Sequence, residues 1–280
     1  MQLTPRYDGP PPLSVQLPLA DPSVPLLRQR RRMVDILGSL DPELWPVASR
    51  CSGWTIQDVV AHLIGTNRFW ALSIRSGLAG SPTRLLVRFD PVTTPAAMVE
   101  PMRSLTPDAV LNDFSESVDD LASALEGIED ASWSRPAEAP PGHVALRSVV
   151  LHALWDAWIH ERDIVLPLGQ SPVEEADEVV ASLVYAAILG PAVMAASGHP
   201  GTGTLIIRGE RPAIRFVVDA GETVVARELG DGDGDAPHVS GPAVELLEGL
   251  SSRAPLHHDL SPSDSWLVDG LATVFEPKPA

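Results

Sequence analysis

The sequence predicts two architectures in one chain: a bundle of four or five helices, then a small α+β domain. Three observations carry this reading. Apolar residues recur at helical spacing through the first two-thirds of the 280 residues. Near residue 200 the period changes to the alternation of strands. Between the helical stretches stand capping residues, prolines and glycines that start and stop helices.

Residues 1–20 are Pro-rich and read as an extended segment, and 21–168 as the bundle. The first helix covers 22–39, with Val24, Leu27, Met33, Val34, Ile36 and Leu37 apolar and Gly38 as its stop. Its Arg28-Gln29-Arg30-Arg31-Arg32 run reads as a solvated face. The second starts at Thr55, with Asp58 three residues on to complete a capping box, and runs to about Gly77. Residues 78–105 form a long connection with room for a short helix. Thr106-Pro107-Asp108 opens the third, combining a cap, a first-turn proline and an acid against the helix dipole. Three prolines and a glycine turn the chain within 134–142. The fourth helix runs from Ala145 to Leu166, where Pro167 and Gly169 end it.

Ser171-Pro172 opens a fifth helix, to about Ser197, which connects the domains over 169–200. Val179–Gly198 has no charged residue and is long enough to span a bilayer. It lacks Lys/Arg flanks and an aromatic belt, and Gly190-Pro191 interrupts it, so it reads as a buried helix of a soluble protein. The α+β domain covers 201–280. Strands are expected at 204–208 and 213–218 around a turn at 209–212, with a third at 222–229 and a short helix at 243–250. Asp231 to Asp235 alternates Asp and Gly but lacks the Gly and Glu of a calcium loop, and reads as a turn.

A net charge of −17, from 20 basic and 37 acidic residues, opposes binding to nucleic acid or anionic membrane. A single cysteine, Cys51, and no signal-like N-terminus fit a reducing cytoplasm.

On the fourth helix His152, Asp156 and His160 follow at intervals of four, in one stripe. A carboxylate and an imidazole so spaced can share a small cation. His62, among Val59, Val60, Leu63 and Ile64 on the second helix, is the candidate third ligand. Facing helices of bundles build metal sites in this way. Two imidazoles and one carboxylate leave positions open for water or substrate, as in catalytic sites. His152 either assists or lines the cavity. His143, His199, His238, His257 and His258 read as surface residues.

Two stretches carry a resemblance. Cys51-Ser-Gly-Trp-Thr-Ile-Gln-Asp-Val-Val-Ala-His62-Leu resembles the second helix of the mycothiol-dependent maleylpyruvate isomerase family, within the DinB-like superfamily. Trp155-Asp-Ala-Trp-Ile-His-Glu-Arg-Asp-Ile164 resembles its fourth-helix motif. Residues 200–280, with Val-Ser-Gly-Pro-Ala at 239–243, look like the sterol-carrier-like α+β domain that follows the bundle there. The resemblance implies a DinB-like four-helix bundle whose ligands His62, Asp156 and His160 hold a divalent metal, usually zinc. Its best-known isomerase has Glu at the position of Asp156, whose side chain is shorter by ~1.5 Å.

Metal activation of a thiol, mycothiol, toward an electrophilic small molecule follows from the same resemblance, as transferase or isomerase chemistry. Arg162 would then pair with a carboxylate of substrate or thiol. Cys51, before the capped helix, is either a thiol of lowered pKa or a small buried residue. Two rival readings stand beside this one. One is a non-catalytic binding module stabilised by metal. The other is a metal-dependent hydrolase acting through activated water. Substrate, metal identity and oligomeric state stay open.

Overall fold

The computed structural model describes residues 3–199 and 201–275. The chain begins with β1 (Leu13–Val15), α1 (Ser23–Gly38), α2 (Ile56–Leu78), α3 (Thr93–Val99) and α4 (Pro107–Leu125). A hairpin of β2 (Pro136–Ala139) and β3 (Gly142–Ala145) leads into α5 (Leu146–Val165) and α6 (Ala176–Ala196). Then come β4 (Gly203–Glu210), β5 (Ile214–Ala220), β6 (Val224–Arg227), β7 (His238–Pro242), α7 (Ala243–Leu250) and α8 (Trp266–Phe275).

Helices α1, α4, α2 and α5 pack in a closed ring, in that order. Their starts are set by local chemistry. Thr55 accepts from the Asp58 amide while the Asp58 carboxylate accepts from the Thr55 amide, so two otherwise orphaned donors are satisfied. Thr106 accepts from the Ala109 amide ahead of α4. Met33, Leu37, Ile56, Val60, Phe114 and Ile164 fill one end of the ring. The other end is continuous with the core of the C-terminal part.

That part is a five-stranded sheet in the order β1-β6-β5-β4-β7. Neighbours β4/β5 and β5/β6 are antiparallel, and β1/β6 and β4/β7 are parallel. The chain is thus a multidomain α and α+β fold. Helix α6 is apolar all round because it is covered on all sides, by α5, α7, α8 and the sheet. It is the one helix among the described residues long and apolar enough to cross a membrane, and most of it is buried.

Several elements differ from the sequence reading. The extended N-terminal segment supplies an edge strand, with Leu13 facing Val224 and Val15 facing Ala226. The turn expected at 134–142 is a hairpin whose register pairs Pro136 with Ala145 and Ala139 with Gly142. Helix α6 starts at Ala176 rather than after Pro172, and runs through Pro191 without interruption. Gly190 there meets Gly270 of α8, where a Cβ on Gly270 would lie 2.1 Å from the Gly190 carbonyl oxygen. The third strand shortens to 224–227, and residues 276–280 lie outside the described residues.

The basic run is not a solvated face throughout. Arg28 and Arg32 pair with Asp177, Glu161 and Glu178, while Arg30 is fully buried. Its position explains this. Leu26, Arg30, Met33 and Leu37 follow the helical repeat onto one buried face.

Candidate metal centre

Helices α2 and α5 meet so that His62, Asp156 and His160 converge. Asp156 Oδ1 lies 3.4 Å from His62 Nε2 and 3.4 Å from His160 Nε2. All three donor atoms lie within 4.8 Å of one another and all three residues are buried. The shorter Asp side chain therefore reaches both imidazoles.

These separations are long for N–H···O hydrogen bonds. They match donors sharing one ion, since bonds of ~2.1 Å at a tetrahedral angle place ligand atoms ~3.4 Å apart. Asp156 Oδ2 faces Arg30 at 3.8 Å and accepts from Thr66 Oγ1 at 3.4 Å. Burial alone would raise the Asp156 pKa, but His160 and His62 hold it well below the ordinary carboxylate range. Burial pushes His62 down.

His160 is oriented from behind. Its Nδ1–H donates to Asp163 Oδ2 at 3.0 Å, which leaves Nε2 turned toward Asp156. A carboxylate oxygen facing that nitrogen calls for a positive charge between them. Without an ion, Nε2 carries that charge as a second ring proton: burial opposes it, yet the Asp156 and Asp163 carboxylates outweigh burial and hold the His160 pKa well above the usual histidine value, and a bound ion would displace that proton. Cys51 Sγ donates to Asp163 Oδ2 at 3.1 Å and lies 3.7 Å from His160 Nδ1. Cys51, His160 and Asp163 form a second compact donor group.

Asp163, fully buried, is bridged by a residue far along the chain. Arg253 Nε and an Nη donate to its two oxygens at about 3.0 Å. Arg50 pairs with Glu248 of α7, and Arg162 Nε donates to Glu248 Oε1 at 2.5 Å. These ion pairs fasten the C-terminal part to the face of the helices that carries the converging donors. Burial alone would raise Glu248, but Arg50 and Arg162 hold it below the usual range.

The sign of that shift fixes a pH dependence. A depressed folded pKa adds stability above the unfolded value of about 4.3, lost as pH falls through the folded pKa. A Glu248→Gln variant should melt below wild type at about pH 7, with the gap closing near pH 3.5. Thermal melts at both values check this; an equal gap at both would contradict it.

The donors open onto a cavity of about 630 Å³. Trp54, Trp70, Trp155 and His152 stand beside them. Arg50, Ser251, Ser252 and Arg253 add polar lining, and Phe89, Met98, Val193 and Leu271 add apolar lining. His152 is not one of the three converging donors, although Asp156 and His62 act on its charge; its Nδ1 pairs with Tyr185 Oη at 2.8 Å. The structure does not bring Arg162 to the cavity. Its guanidinium is held by Glu248 and Glu174 and stacks 4.6 Å from the Trp158 ring. The arginines that do face the cavity, Arg50 and Arg253, sit in loops where no periodicity marks them, and sequence reasoning missed both.

Residues 26–165 match the family model described as the mycothiol maleylpyruvate isomerase N-terminal domain. Two solved structures share the fold: the mycothiol-dependent maleylpyruvate isomerase and a histidine-to-alanine mutant of it. Each is 18% identical at a TM-score of 0.60, covering 85% of this chain and 90% of that one. A search of curated proteins gave no match. With that motif spanning half its length and the fold shared over most of it, the chain belongs to the mycothiol-dependent maleylpyruvate isomerase family.

Proposed function

We propose that this chain is a metal-dependent thiol transferase or isomerase of the maleylpyruvate isomerase type. Mycothiol is its co-substrate, and His62, Asp156 and His160 hold a divalent ion. The observation that carries the reading is the pair of 3.4 Å separations meeting at Asp156 Oδ1. Zinc suits a set of two imidazoles and one carboxylate, and three protein ligands leave a position facing the cavity. When bound, the ion supplies a Lewis acid that keeps a thiol as thiolate at neutral pH.

The chain's own residues do the rest. Asp163 holds the His160 ring from its Nδ1 side, and Trp54 and Trp155 line the cavity beside the donors. Arg50 and Arg253 line the approach. The lone thiol of Cys51, in hydrogen-bond contact with Asp163, suits the reducing cytoplasm in which we place the protein.

Purified protein should hold about one equivalent of metal and be stabilised against heat by mycothiol but not by glutathione. Elemental analysis and melting curves check both. Metal without a thiol-dependent shift would sink the mycothiol reading. Ester turnover with no thiol present would put a hydrolase in its place.

A further inference from the structure

The cavity carries its polar groups unevenly, and this bears on what the thiol reacts with. Both guanidiniums in its lining are already compensated, Arg50 by Glu248 and Arg253 by Asp163. With the ion's open position taken by the thiolate, a small dicarboxylate would find no unpaired cation there. Much of the remaining lining is apolar, with Leu86, Phe89, Val92, Met98, Val193 and Leu271 contributed by the 86–98 segment, α6 and α8.

His152 is part of the same lining. Its ring is packed by Trp70, Trp155 and Tyr185 at centroid distances of 4.8, 5.3 and 5.1 Å. Tyr185 is fully buried, and its hydroxyl has His152 Nδ1 as its one hydrogen-bond partner among the described residues. Were Nδ1 to donate, the Tyr185 O–H would be a buried donor with no acceptor, a costly state. Tyr185 therefore donates to Nδ1, and the proton of His152 sits on Nε2. Unlike His62 Nδ1, that nitrogen is not sealed in protein. His152 lines the cavity, and Nε2–H is the ring donor left for a ligand there. Burial holds the imidazole neutral, its pKa pushed down to about 4.

We infer that the cavity takes a neutral, largely apolar carbonyl compound, whose oxygen accepts a hydrogen bond from His152 Nε2–H, rather than a small dicarboxylate. The inference rests on the thiol-transfer reading for its chemistry and on the cavity alone for binding. With an enone, the thiolate sulfur bonds to the β-carbon as the C=C electron pair moves onto the carbonyl oxygen. Nε2–H steadies that oxyanion, and a proton from solvent then restores the ketone. His152 is thereby a substrate-contacting group, and Tyr185 a positioning residue that fixes its tautomer.

Binding of two unreactive probes to the metal-loaded protein tests this by calorimetry. One is 4-phenylbutan-2-one, a neutral aryl ketone, and the other is succinate. Wild type should bind the ketone at least about tenfold more tightly than succinate. A His152→Phe variant should lose about tenfold in ketone affinity at unchanged metal content, and Tyr185→Phe a smaller part of it. Succinate binding as tightly as the ketone would overturn the inference. So would wild-type ketone affinity in His152→Phe. Because neither probe needs a thiol, His152-dependent ketone binding in a protein that never consumes mycothiol would reject the transferase reading and leave this one standing.

Discussion

A His160→Ala variant is expected to purify nearly free of metal and to consume mycothiol at least a hundredfold more slowly than wild type. The scale follows from the geometry. Replacing a group that merely orients a metal-bound histidine costs roughly 10–100-fold in affinity or activity, so removal of a ligand costs more. Of the two imidazoles in the proposed set, His160 is the one whose other ring nitrogen has a partner, Asp163, while His62 Nδ1 has none among the described residues. Without it Asp156 keeps Arg30, His62 and Thr66 as neighbours, so the helices should stay folded. Elemental analysis and a circular dichroism melt on one preparation separate the two outcomes. Wild-type metal content in the variant would remove His160 from the site.

Asp163→Ala should be the most damaging change that touches no proposed ligand. Its carboxylate accepts from His160, Cys51 and Arg253, and Arg50 lies 3.8 Å away. Removing one partner of a buried ion pair costs about 3–5 kcal/mol, because the stranded charge stays buried. The loosened His160 ring should cost a further 10–100-fold in metal affinity. Asp163→Asn, which keeps an oxygen to accept from His160 Nδ1–H, should recover part of the affinity but not the Arg253 pairing. Denaturant unfolding and competitive metal titration measure the two effects. A variant that lost stability while binding metal as tightly as wild type would reduce Asp163 to a fastening between the two parts of the chain.

Local signals in the sequence reach as far as local interactions do. Thr55 with Asp58, and Thr106 with Pro107, mark helix starts because cap and capped amide lie three residues apart. The stripe of Asp156 and His160 is visible for the same reason. The buried Arg30 was legible too, since it keeps the spacing of Leu26, Met33 and Leu37, but the surrounding arginines drew the eye to charge instead of period. What local pattern cannot show is pairing across the chain. Arg253 meets Asp163 from 90 residues away, and Arg50 meets Glu248 from 198. Leu13–Val15 is too short to register as a strand without β6 beside it. Pro191 was read as a break, yet α6 is enclosed so fully that packing holds the helix through it.

The edge strand β1 also sets an order of events at the ribosome. Leu13–Val15 leaves the exit tunnel roughly 200 residues before Val224–Ala226 is made, so that border of the sheet must wait until β6 has followed it out. The emerging helices can collapse early around their own apolar faces, but the assembly is sealed only when its first strand docks against one of its last. A nascent product stopped before residue 224 would carry an unclaimed hydrogen-bonding edge, which is a template for misassociation.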